Sequence, residues 1–259
     1  MNASPTLPRL YHASPSYYSQ IARLALVEAG IAFESHPIDI HRRRQNIEPD
    51  YVRMNPNMTV PTLVVGEKTL IESRDIVEFA LGATEGDARR WVDRQYAFPI
   101  EELTFGKLLS WNPIARAMIP RTLAKQESQF RALAAQHPEL ASLYLRRAEV
   151  FAERVRTFDP ARVAALWDER IGEARAHLDA LEGALADGRA TLIPAGYGPA
   201  DVVWTVFLAR LRFVHVGEEI ARRPAVLRYA EAMFARPSFA AADVWTGVEL
   251  MKLLHAWFD

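Results

Sequence analysis

The sequence contains no cysteine. Disulfides, thiolate metal sites and any mechanism with a protein thiol as nucleophile are therefore excluded. A charge imbalance is also missing: 31 basic residues face 32 acidic ones, for a net charge of −1. That balance removes the electrostatic case for a nucleic-acid partner or an anionic membrane surface. No apolar run reaches the ~20 residues of a membrane-spanning helix. The start, "MNASPTLPRL", lacks the basic and apolar parts of a secretory signal, so a cytoplasmic location is expected. The seven histidines show no metal-ligand spacing, and no metal is expected. The short basic run "HRRRQ" (His41–Gln45) reads either as a solvated face or as an anion contact.

What is present is an alternation of short strands and helices, then helices alone. "RLYHA" (Arg9–Ala13) reads as a strand. "YYSQIARLALVEAG" places Ile21, Leu24, Ala25 and Val27 at helical spacing, and Gly30 stands where such a helix should stop. "AFESHPIDI" (Ala32–Ile40) reads as a second strand. "TLVV" and "TLIE" form a hairpin across "GEK", and Ser73 precedes "RDIVEFAL" as the cap of a helix. "GATEGDARR" (Gly82–Arg90) is polar and glycine-rich, a linker candidate. From Trp91 the pattern is helical, and "PADVVWTVFLARLRFVHV" is apolar nearly all round, which predicts a buried central helix. The expected architecture is an α/β domain over 1–81, a linker over 82–90 and an all-α domain over 91–259. The apolar tail "LMKLLHAWFD" is expected to pack back on the fold.

Two features point to a ligand. Five hydroxyl side chains, Ser14, Ser16, Tyr17, Tyr18 and Ser19, crowd the mouth of the first helix. They serve as plain caps, or some of them hold an anion. Successive helical residues turn by ~100°, so one or two of the five at most can reach one ligand atom. The second feature is Val60-Pro61 just before "TLVV". A proline is tolerated at a strand start, and a cis bond there would turn the backbone of Val60 outward, where a peptide could pair with it. A trans proline at a strand edge is the plainer alternative. With helix N-termini near Ser16 and Ser73, each carrying unpaired N–H groups, an anionic peptide-like ligand could span both.

Taken together, the βαβ–ββα unit, "VP" before its third strand, "ES" (Glu72-Ser73) opening the next helix and the helical second half resemble a cytosolic glutathione S-transferase. "EPDYVRMN", "VPTLVVGEK", "HPELASLY", "ADVVWTVFLAR" and "RPSFAAA" are most similar to the tetrachlorohydroquinone dehalogenase and zeta-like branch. The resemblance implies a thioredoxin-like N-terminal domain, an all-α C-terminal domain, glutathione as co-substrate and a homodimer. It places the catalytic hydroxyl among Ser16, Tyr17 and Tyr18, with Tyr18 where those relatives carry cysteine. It assigns the backbone of Val60, with Pro61, to the cysteinyl part of glutathione, and Glu72 and Ser73 to its γ-glutamyl end.

The implied reaction is attack of the glutathione thiolate on a small hydrophobic, aromatic electrophile: conjugation, displacement of halide or aryloxide, or isomerisation. With no cysteine to remove glutathione from an adduct, a complete reductive dehalogenase is not expected. Phe98, Phe105 and Trp111 are candidates to line an acceptor pocket, or else core or dimer contacts. Glycine replaces the family's hydroxyl residue at Gly198, three residues before Asp201, which is read as a structural carboxylate. The alternative function is a non-catalytic module that retains the fold and binds glutathione or a partner.

Overall fold

The structure is a computed structural model that describes residues 7–247. The tail expected to pack back, 250–259, lies outside the described residues. The order begins with strand β1 (Arg9–His12), helix α1 (Tyr17–Glu28), β2 (Glu34–Pro37), a 3-10 turn at Gln45–Ile47, α2 (Pro49–Met54), β3 (Thr62–Val65), β4 (Lys68–Leu70) and α3 (Ser73–Leu81). Only helices follow: α4 (Gly86–Ala97), α5 (Ile100–Trp111), α6 (Pro113–Gln136), α7 (Ala141–Thr157), α8 (Val163–Ala184), α9 (Pro199–Phe213), α10 (Glu218–Ala221), α11 (Pro224–Phe234) and α12 (Pro237–Ala241). Among the described residues no helix is long and apolar enough to cross a membrane.

The described residues divide into two compact units, one of 7–48, 59–97 and 178–247, the other of 49–58 and 98–177. In the first, a four-stranded sheet has the order β2-β1-β3-β4. β1 pairs with β2 in parallel and with β3 antiparallel, and β3 and β4 form the hairpin. Its core joins Leu10, Leu63 and Leu70 of the sheet to Ala22 and Leu26 of α1 and Ile76 of α3. Parallel β1 and β2 require a crossover, and α1 provides it. Gly30, at φ +65°, ends that helix in a conformation other residues rarely adopt.

The all-round apolar segment is α9, with every residue from Ala200 to Leu211 buried. It packs on α1 and α4, and its Trp204 indole donates to the Trp91 carbonyl at 3.0 Å. Asp201 accepts from Leu192 N at 2.8 Å, Gly198 N at 3.0 Å and the Tyr229 hydroxyl at 2.8 Å. It is the structural carboxylate read from the sequence. In the second unit, α6 and α7 lie against each other. Phe130 meets Phe151 at 5.0 Å between ring centroids.

Several boundaries differ from the sequence reading. The N-cap of α3 is Glu72, whose carbonyl accepts from Ile76 N, and Ser73 is the first helical residue. The extended backbone of Glu72 (φ −112°, ψ 137°) makes it the half-in residue that a cap must be. The linker stretch 82–90 is half helix, because α4 begins at Gly86 with Asp87 in its first turn, the favourable place for an acid. The second strand is shorter than 32–40 and covers Glu34–Pro37. The compact units also cut the chain differently from a division at 82–90, since α9 contacts α1 and α4 within one unit.

Candidate functional site

The β1–α1 loop delivers the hydroxyl cluster. Ser16 is the N-cap of α1: its backbone is extended (φ −67°, ψ 124°) and its Oγ accepts from Ser19 N at 3.4 Å. Capping uses a lone pair and leaves the O–H hydrogen available to a further acceptor. Ser19 is buried and its Oγ accepts from Ala13 N at 3.3 Å, which commits it to holding the loop. Tyr17 points inward, and its hydroxyl accepts from the Gln95 side-chain amide. Burial, then the nearby Tyr18 and Tyr96, push the Tyr17 phenol well above its ordinary value. Tyr18 is 37% exposed, the most open of the aromatic hydroxyls at this mouth. Burial first, and then the Glu72 carboxylate, push its phenol up, so Tyr18 is a neutral hydroxyl at neutral pH.

The second helix mouth is linked to the first through Tyr96 on α4. The Tyr18 and Tyr96 rings lie 6.2 Å apart at an interplanar angle of 7°. The Tyr96 hydroxyl meets Ser73 Oγ at 3.0 Å. Above the same ring the Arg74 guanidinium lies 4.9 Å from the centroid, itself paired with Asp93. A chain of contacts thus runs from the N-terminus of α1 through Tyr18, Tyr96 and Ser73 to the N-terminus of α3. The Val60-Pro61 bond is cis. Val60 also lies beyond the last registered pair of the sheet, Tyr11 with Thr62, so its backbone is outside that ladder.

The structure therefore brings Ser16, Tyr17 and Tyr18 together at one helix start, and joins Tyr18 to Ser73 through Tyr96. Glu72 is exposed beside them. The acceptor candidates belong to the second unit. Phe98 is buried with its ring edge-on to His177, and Phe105 packs on Phe158 at 5.3 Å. Trp111 is 62% exposed, and Ile114 and Met118 at the start of α6 are exposed as well. Arg116 closes the end of α5, donating to the carbonyls of Leu109 and Ser110. Among the described residues no group of three His, Cys, Asp or Glu side chains is placed to hold a metal.

Gln95 and Tyr96 were not visible in the sequence as site residues, because "DRQYAF" shows only a helix with mixed polarity. Arg210 left a signal. It is a lone cation inside the apolar run "VVWTVFLARL", and it is buried with its guanidinium 3.0 Å from the Pro15 carbonyl.

A family model, the glutathione S-transferase N-terminal domain, matches residues 15–81. The chain is 31% identical over 255 residues to a tetrachloro-p-hydroquinone reductive dehalogenase of Sphingobium chlorophenolicum, covering 92% of this chain and 97% of that one. It is 27% identical to glutathione S-transferase TCHQD of Arabidopsis thaliana, covering 89% and 87%. Among solved structures, the β-etherase LigF from Sphingobium sp. strain SYK-6 is similar in fold, with a TM-score of 0.66 at 17% identity over 92% of this chain and 98% of that one.

Proposed function

Because the chain belongs to the glutathione S-transferase family, we propose that it activates the thiol of glutathione at the N-terminus of α1 for attack on a small hydrophobic, aromatic electrophile. The observation that carries this reading is the paired helix mouths, bridged by Tyr18, Tyr96 and Ser73. Glutathione is an extended anionic peptide, and this chain offers it what such a ligand needs. Ser73, at the first position of α3, faces the γ-glutamyl carboxylate with its hydroxyl and the helix N–H groups behind it. Glu72 takes the γ-glutamyl ammonium. Val60, with its cis peptide to Pro61, presents main-chain groups outside the sheet ladder to the cysteinyl residue.

When bound, glutathione supplies the thiol that a cysteine-free chain lacks. Such a thiol has a pKa near ~8.5 and is only a few per cent ionised at pH 7. Ser16 is the hydroxyl best placed to donate to it, because its capping bond leaves the hydrogen unspent. Tyr18 is the second candidate donor; Tyr17 is the least suited, because its side chain is buried and turned inward towards Gln95. One hydrogen bond and the α1 N-terminus together lower a thiol pKa by roughly one to two units. For the acceptor we assign the apolar surface of Trp111, the exposed one of the three candidates; Phe98 packs on His177 and Phe105 on Phe158. The activities named for a relative and a structural neighbour, reductive dehalogenation and β-ether cleavage, both fit an aromatic acceptor. Lacking a cysteine, this chain carries out the steps that need only the glutathione thiolate.

Retention on immobilised glutathione, together with turnover of a chloro-nitroaromatic acceptor, tests the proposal. Turnover lost in the Ser16→Ala variant supports Ser16 as donor. Retention with no turnover across an acceptor panel would assign the non-catalytic module instead, and no retention would refute both.

A further inference from the structure

Two arginines converge on the loop that delivers Ser16. Arg210, 7% exposed on α9, donates to the Pro15 carbonyl at 3.0 Å. Its guanidinium carbon sits 5.5 Å from the Tyr17 ring centroid and 4.7 Å from that of Phe213. Arg23, 5% exposed on α1, donates to the Ser14 carbonyl at 3.2 Å, the Ala242 carbonyl at 2.7 Å and the Asp243 carbonyl at 2.9 Å. Its remaining nitrogen meets His12 Nδ1 at 3.1 Å. The carbonyls of consecutive residues, Ser14 and Pro15, are thus each held by a buried cation, immediately before the helix cap.

The charges of the two are balanced unequally. Arg23 has the Asp243 carboxylate 3.9 Å away. For Arg210 no carboxylate partner is found among the described residues; around it are aromatic rings and a carbonyl. A buried guanidinium without a counter-ion is unfavourable, and is tolerated best where an anion will come to rest. From bond lengths and the 3.0 Å hydrogen bond, the donating nitrogen lies within about 6 Å of the Ser16 backbone nitrogen.

Resting on the reading of this site as a glutathione site, we propose that Arg210 is a positioning residue for the thiolate: it fixes the Pro15–Ser16 turn and supplies positive charge behind the N-terminus of α1, with no carboxylate partner among the described residues and with Arg23 holding the preceding carbonyl. Neither arginine touches the sulfur. Among the described residues the titratable groups against the pair are Tyr17 at Arg210, and His12 and Asp243 at Arg23; Tyr18 and Tyr96 lie against Tyr17, His36 against His12 and Glu72 against Tyr18. Burial, and then Arg23, hold His12 at about 4, and burial holds the three tyrosines above their ordinary values. Burial lowers Arg210 to about 10, which still leaves it charged at neutral pH.

The test is the titration of glutathione bound to the full chain, read as thiolate ultraviolet absorbance between pH 5 and 9. Wild type, Arg210→Lys and Arg210→Met are compared, with circular dichroism to check folding. One cation close behind the helix start is expected to shift the bound thiol by roughly 0.5–1.5 pH units. The expected result is a depressed midpoint in wild type, most of that depression kept in Arg210→Lys and a rise of that size in Arg210→Met. The acid limb of kcat/KM should move by the same amount. A strap without electrostatic effect would weaken glutathione binding at every pH and leave the midpoint in place, which overturns the proposal. If Arg210→Met does not fold, the wild-type midpoint decides: a bound thiol titrating near its solution value also overturns it. Failure of wild type to bind glutathione at all is a different result, and it removes the site reading itself.

Discussion

His12 should make this protein acid-sensitive, and the sign and size follow from its surroundings. It is buried at the end of β1, with Nδ1 accepting from Arg23 and Nε2 donating to Ser35 Oγ at 2.7 Å. Both bonds fit the neutral ring. Burial, and then the adjacent Arg23 charge, hold its pKa at about 4 against an ordinary 6.5. The unfolded chain therefore binds a proton between these values when the folded one does not. Stability is fully present above pH 6.5 and is lost as pH falls towards 4. Between pH 7.5 and 5.0 that loss is about 2 kcal/mol from this one group, and about 3 kcal/mol once both states are protonated. The perturbation is His12→Asn, whose Oδ1 can occupy the place of Nδ1 and accept from Arg23 without titrating. Urea unfolding of both proteins at the two pH values is the assay. Wild type should lose about 2 kcal/mol more than the variant on acidification. Other titrating groups are common to both proteins and cancel. An equal loss in the two would refute the assignment of a buried, neutral His12.

Three further predictions follow from single sites. Ser73→Ala should weaken glutathione binding roughly 10- to 100-fold, the loss of one hydrogen bond to a carboxylate, while kcat changes little; calorimetry and steady-state kinetics read the two effects separately. Asp201→Ala leaves Leu192 N, Gly198 N and the Tyr229 hydroxyl without their acceptor and should destabilise the fold by about 3–5 kcal/mol, lowering Tm by on the order of 10 °C in a thermal melt. Gly198→Ser should raise stability by about a few tenths of a kcal/mol: Gly198 caps α9 with an extended backbone, an added Cβ meets nothing within 4 Å, and serine adds the side-chain cap that glycine lacks. Differential scanning calorimetry resolves that gain.

The strands and the long helices were legible because they depend on local pattern. The hairpin after "TLVV" was legible from its apolar strand and glycine turn, although its second strand is Lys68–Leu70 rather than "TLIE", with Lys68 paired to Val65 and Glu72 already capping α3; α9 announces itself by being apolar on every face. Ser16 as a cap was legible for the same reason, since its partner Ser19 N is three residues away. The α3 cap was misplaced by one residue. Serine is the better capping side chain, yet the backbone turns into the helix at Glu72, which forms no side-chain cap bond. The contacts that bind the site together were not legible. Tyr96 meets Ser73 across 23 residues, Gln95 meets Tyr17 across 78, and Arg210 meets Pro15 across 195. Such pairs are set by how α9 packs against α1, α3 and α4, and no local periodicity records them. The acceptor candidates show the same limit. Phe98, Phe105 and Trp111 look alike in sequence, but the first two pack against His177 and Phe158 while the third is exposed.

The most direct measurement is a crystal structure of the full chain with glutathione. The account predicts the sulfur within hydrogen-bond distance of the Ser16 or Tyr18 hydroxyl, main-chain bonds to Val60 and the γ-glutamyl carboxylate on Ser73. A tripeptide bound elsewhere, or with its sulfur turned away from the start of α1, would contradict it.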